Sequence, residues 1–90
     1  MKTDFKKSFL NDIKKIKDKA LLEKIEQIIL DVEKAQTIHN ISRLKKLKGN
    51  KNGIYYRISV DIYRIGVTIE NDTVTFVVFD LRKDIYKYFP

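Results

Sequence analysis

Apolar residues Phe5, Phe9, Ile13 and Ile16 recur at helical spacing, with Leu10 widening the stripe and Thr3 or Asp4 placed to cap its start. Lys14, Lys15 and Lys17 then fall in the last turn, where they favour the negative end of the helix dipole. The pattern predicts a first helix. Asp18 stands ready to cap a second, in which Leu21, Leu22, Ile25, Ile28, Ile29 and Val32 form a continuous stripe ending near Ala35. So short a join implies an antiparallel helical hairpin.

After a polar connection from Gln36 to Ser42 the period changes from that of a helix to that of a strand. Arg43 to Lys48 is a short candidate strand closed by Gly49-Asn50-Lys51-Asn52-Gly53, whose Asn and Gly residues tolerate left-handed turn geometry. Strands are expected over Ile54–Ser59, Ile62–Ile69 and Thr73–Phe79, the last rich enough in Val, Thr and Phe to be interior. Placing Val60 and Asp61 at the hairpin tip sets Arg57 directly across from Arg64. Tyr56, Ile58, Tyr63, Ile65, Val67 and Ile69 then share one face. Tyr55, Arg57, Ser59, Ile62, Arg64, Gly66 and Thr68 share the other. The expected architecture is α+β: an N-terminal antiparallel helical hairpin packed on a four-stranded, mainly antiparallel sheet, its second face open. The chain, residues 1–90, reads as a single domain.

Two like charges about 5 Å apart on one sheet face are destabilising unless an anion lies between them, and a phosphate fits that description. Charge along the chain points the same way. The net charge is +7, yet residues 1–53 hold 14 Lys/Arg against 7 Asp/Glu while residues 54–90 hold 5 against 5. The surplus is densest at Arg43, Lys45, Lys46, Lys48 and Lys51, a run without an acid that suits a phosphate backbone or an acidic protein. A solubilising lysine-rich surface accounts for charge alone equally well. With no cysteine, disulfides and thiolate metal sites are excluded, and a reducing cytoplasm is the natural compartment. No apolar run suggests a signal peptide or a membrane span.

The Phe-rich first helix, Leu44-Lys45-Lys46-Leu47-Lys48-Gly49, Tyr56-Arg57-Ile58, Tyr63-Arg64-Ile65 and Arg82-Lys83-Asp84-Ile85-Tyr86 together resemble the RelE/ParE superfamily of bacterial type II toxin–antitoxin toxins. The resemblance spans nearly the whole chain and rests on order and spacing. It implies a toxin held inactive by a cognate antitoxin. RelE-like members cleave messenger RNA in the ribosomal A site, whereas ParE-like members inhibit DNA gyrase, and a shared scaffold does not choose between them. An inactivated toxin kept as a binding module is a third reading.

Residue by residue, the resemblance puts Arg57 where RelE carries a catalytic lysine and Arg64 on its phosphate-stabilising arginine. Arg82 and Tyr86 match the C-terminal arginine and tyrosine, the latter expected to stack on the nucleotide and assist proton transfer. Tyr55 replaces a further family lysine, so Tyr86, Lys46 or Lys48 would have to take over its part. Arg57 is a poor base because its guanidinium stays protonated. No Asp/Glu/His cluster has metal-ligand spacing and the single His39 lies outside the matching motifs, so the chemistry expected uses Arg, Lys and Tyr without a cofactor. Arg43, Lys45, Lys46, Lys48, Lys51 and Tyr55 are the expected ribosome and RNA contacts. The bland readings are solvated strand arginines paired with Asp61, Glu70 or Asp80, and a C-terminal apolar clasp over the sheet edge for Phe89.

Overall fold

Pairing with a distant strand decides the conformation of the first residues. Lys2–Phe5 forms a strand, β1, with Thr3 and Phe5 half-buried and Lys2 and Asp4 exposed. The expected helix therefore starts a turn later, as α1 (Lys7–Lys14), and neither Thr3 nor Asp4 caps it: Lys6 holds that position without a side-chain bond. Phe5 and Phe9 still meet, their ring centroids 6.1 Å apart, and both pack on Phe76. Helical spacing and a strand-to-helix junction thus bring the same two rings together. The Asp18 cap forms as expected, its Oδ1 accepting from the Ala20 and Leu21 amides at 3.0 and 3.2 Å. From it α2 (Lys19–Lys34) runs to Ala35. A short 3-10 turn, Ile38–Asn40, leads to the remaining strands.

These are β2 (Leu44–Lys46), β3 (Tyr55–Val60), β4 (Tyr63–Glu70) and β5 (Thr73–Leu81), followed by a short helix α3 (Arg82–Ile85). The computed structural model describes residues 1–49 and 52–90. The expected turn at 49–53 lies partly outside the described residues, as does Lys51. Strand order is β1-β5-β4-β3-β2, with β1 parallel to β5 and the other pairs antiparallel. The sheet is therefore five-stranded and mixed, not four-stranded. The added strand covers the edge of β5 that would otherwise present unpaired backbone groups.

At the β3–β4 turn the tip is Asp61-Ile62, so Ser59 lies opposite Arg64 and Arg57 opposite Gly66. Moving the tip by one residue moves each cross-strand partner by two, which corrects the expected Arg57–Arg64 pairing but leaves every side chain on its face. Asp61 makes this turn possible by taking a positive φ of 52°, a conformation Asp tolerates. A bulge in β5 sets Gly66 against Val78 but Val67 against Phe76, leaving Val77 extra. Because of that extra residue, Phe76 and Phe79 both reach the helix side. There they join Phe9, Leu21, Ile25 and Ile65 in the core, where each fully buried large side chain contributes about 1.5–3 kcal/mol.

The second face is partly covered. Val78, Ile85 and Phe89 form a separate buried cluster there, with Tyr55 and Leu47 against it. Phe89 lies over the middle of the sheet, not its edge. A Cβ on Gly66 would approach the Phe89 ring carbons to 2.7 Å, so the missing side chain makes room for Phe89.

Candidate functional site

Beside the Phe89 cluster the second face opens into a groove of about 840 Å³, lined by Asp61, Ile62, Arg64, Leu81, Arg82, Lys83 and Tyr86. Three pieces of chain build it. The β3–β4 turn and the start of β4 bring Asp61, Ile62 and Arg64, the end of β5 brings Leu81, and α3 with its C-cap brings Arg82, Lys83 and Tyr86. The Arg82 amide donates to the Ile62 carbonyl at 2.9 Å, which locks the start of α3 onto the hairpin tip. Tyr86 is 45% exposed, so its ring is open to solvent and to ligand.

Arg64 is held by its own turn. Its Nη1 donates to the carbonyls of Asp61 and Tyr63 at 3.0 and 2.7 Å, while Nε is buried with no partner among the described residues. No carboxylate among the described residues forms an ion pair with Arg57, Arg64 or Arg82. The nearest candidates are engaged elsewhere. Asp61 pairs with Lys24 at 2.7 Å, and that hydrogen bond and charge hold its carboxyl below the usual range. Asp80, the cross-strand partner of Arg64, accepts from the Tyr88 hydroxyl at 2.9 Å. Desolvation, with the Asp80 bond second, pushes the Tyr88 phenol well above its usual value, so Tyr88 remains a donor.

Arg57 shares the face of Arg64 but does not line the groove. Its Nη1 donates to Ser59 Oγ and, at 3.4 Å, to the carbonyl of Arg43. Its direct neighbour on β2 is Lys45, which makes Lys45 and Arg57 the like-charged pair of this face. Lys46 stands opposite Tyr56 and so belongs to the helix-covered side. Arg43, at a positive φ of 64°, lines a different hollow, between α2 and the hairpin, with Lys24, Asp31 and Asp61. Lys48 is exposed beyond the end of β2, whereas Tyr55 is half-buried and meets Phe89 edge-on, centroids 5.6 Å apart. The structure therefore gathers Arg64, Arg82 and Tyr86, keeps Arg57 and Lys45 alongside, and separates Arg43 and Lys46 from them.

Sequence reasoning missed Leu81 and Lys83, and it saw Ile62 only as a strand residue. An isoleucine in a two-residue turn was the available signal.

The same α+β fold occurs in solved toxin structures. The RelB–RelE antitoxin–toxin complex from Methanococcus jannaschii contains a chain 36% identical to this one, superposing with a TM-score of 0.78 over 97% of this chain and 99% of that one. The YoeB dimer from Staphylococcus aureus, 20% identical, matches with a TM-score of 0.69 over 87% of this chain and 92% of its own, and shares the fold. Toxin RelE3 of Methanocaldococcus jannaschii is 37% identical over the full length of both chains. No protein-family model matches the chain. The full-length relationship to RelE3 shows that the chain belongs to the RelE family of type II toxin–antitoxin toxins.

Proposed function

We propose that this toxin is a metal-independent endoribonuclease that cleaves messenger RNA on the ribosome and is held inactive by a cognate antitoxin. One observation carries the reading: Arg64 from β4 and Arg82 and Tyr86 from α3 and its C-cap line one solvent-open groove in which neither arginine has a carboxylate partner among the described residues. Cations left unpaired beside an open aromatic ring suit a phosphate and its base. Relatives crystallised as antitoxin complexes support the partner.

In the reaction the 2′-hydroxyl loses its proton and attacks phosphorus, the P–O5′ bond breaks, and the products are a 2′,3′-cyclic phosphate and a 5′-hydroxyl. Arg64 and Arg82 neutralise the charge that develops on the phosphorane oxygens. The bonds from Arg64 Nη1 to the Asp61 and Tyr63 carbonyls fix its guanidinium before the substrate arrives, so little ordering is left to be done when it meets an anionic oxygen. Tyr86 transfers protons. Lys46, on the helix-covered side, does not serve. Lys45 and Arg57 hold the adjoining backbone by charge.

A groove with two arginines and a tyrosine stabilises charge better than it activates a hydroxyl, so orientation by the ribosome supplies part of the barrier reduction, up to about 7–11 kcal/mol in favourable cases. Expression of the chain without its antitoxin is expected to arrest growth, and primer extension on cellular messages is expected to show breaks within translated codons. Free RNA should be cut slowly or not at all. Intact messages alongside inhibited gyrase supercoiling would replace this reading with gyrase inhibition.

A further inference from the structure

Phosphate chemistry accounts for the cations of the groove but not for its apolar half. Ile62 is 65% exposed at a two-residue turn, a position where Asn, Asp and Gly are favoured and a β-branched apolar side chain gains nothing from the fold. Leu81 and Tyr86 line the same groove. The Arg82–Ile62 backbone bond at 2.9 Å fixes the turn relative to α3, so the separation of Ile62 from Tyr86 is set by the scaffold.

We infer that Ile62, backed by Leu81, forms with Tyr86 the subsite for the nucleobase adjoining the scissile phosphate, and that Ile62 sets how strongly the enzyme discriminates between bases. The inference rests on the endonuclease reading for the identity of the phosphate. Charge complementarity selects the occupant. The groove offers Arg64, Arg82 and Lys83, and its one acid, Asp61, is already paired with Lys24. A nucleotide fills both halves at once, with its base on the apolar wall and its phosphate on the cations. An apolar peptide would leave the cations without counter-charge.

The test is single-turnover cleavage on ribosomes programmed with messages that differ in the bases of the A-site codon. Ile62→Ala is expected to lower kcat/KM about tenfold and to narrow the spread between codons, the scale of losing apolar contact in a binding pocket. Ile62→Leu should recover most of the rate. Because the side chain is exposed, both variants should keep the wild-type melting temperature. In parallel, the Ile62 methyl resonances of the antitoxin-free chain are expected to shift on titration with nucleoside 3′-monophosphates. Wild-type rates and codon spread in Ile62→Ala, or methyl resonances unmoved by all of the nucleotides, overturn the subsite. No cleavage by the wild type on any programmed ribosome overturns the endonuclease reading instead, and the titration still decides whether the groove takes a base.

Discussion

Gly66 and Phe89 compete for one volume. With a Cβ at position 66 only 2.7 Å from the Phe89 ring and 2.8 Å from Val78, Gly66→Ala should overpack the second face and cost about 1–3 kcal/mol, read from urea unfolding midpoints. If the clash with the ring is the cause, the cost should shrink in a Phe89→Leu background, and a double-mutant cycle measures that coupling. Additive effects would locate the strain elsewhere. Arg64 braces the turn through Nη1, which donates to the carbonyls of Asp61 and Tyr63, and the part proposed for it beyond that is to neutralise a phosphate. Arg64→Lys keeps the charge and loses the planar fork, so it should lower kcat on programmed ribosomes by about a hundredfold or more, nearly as much as Arg64→Ala. Rescue by lysine would show that charge alone suffices.

The β3–β4 hairpin is tied to α2 by Lys24 and Asp61, and that tie titrates. Asp61 has its folded pKa lowered from an ordinary 3.8, so its contribution to stability is present above that value and is lost as pH falls through the lower, folded one. A carboxyl NMR titration of Asp61 should give a midpoint below 3.8 that rises toward it in Lys24→Met. An unchanged midpoint would mean that Lys24 does not hold Asp61 in solution. Much of this architecture was legible in the sequence because burial enforces periodicity. Asp18 and the stripe from Leu21 to Val32 specified α2, and alternation assigned the hairpin faces correctly despite a wrong tip. Lys2–Phe5 was illegible as a strand: four residues carry little pattern, and Phe5 and Phe9 also fit a helix. Long-range packing hid the rest. Nothing local announces that Phe89 folds back onto Gly66, or that Arg57 turns to Ser59 and the Arg43 carbonyl. The groove was half legible: resemblance pointed to Arg64, Arg82 and Tyr86, but nothing pointed to Lys83, Leu81 or the turn position of Ile62.

At the scale of the whole molecule, the part proposed for the exposed lysines around β2 is to attract the ribosome through the ionic atmosphere. Lys46 and Lys48 point away from the groove or beyond the strand, so replacing them with Gln should weaken ribosome association without altering the cleavage pattern. The slope of log affinity against log salt should fall by up to about 0.9 for each lysine that meets a phosphate. An unchanged slope would remove them from the interface. The parallel pairing of β1 with β5 joins Lys2 to Thr73 across most of the chain, whereas the β3–β4 hairpin closes over two residues. Loop-closure entropy therefore orders the assembly in time: the hairpin forms from neighbours, while β1 must wait for a distant strand. Substitutions at Ile58 or Ile65 should slow refolding, and those at Thr3 should mainly speed unfolding. The strands and helix that carry Arg64, Arg82 and Tyr86 follow one another through short turns, so the groove is expected to assemble before β1 closes the far edge of the sheet. A partner that meets the chain in that interval finds the groove on a sheet whose β5 edge is still uncovered.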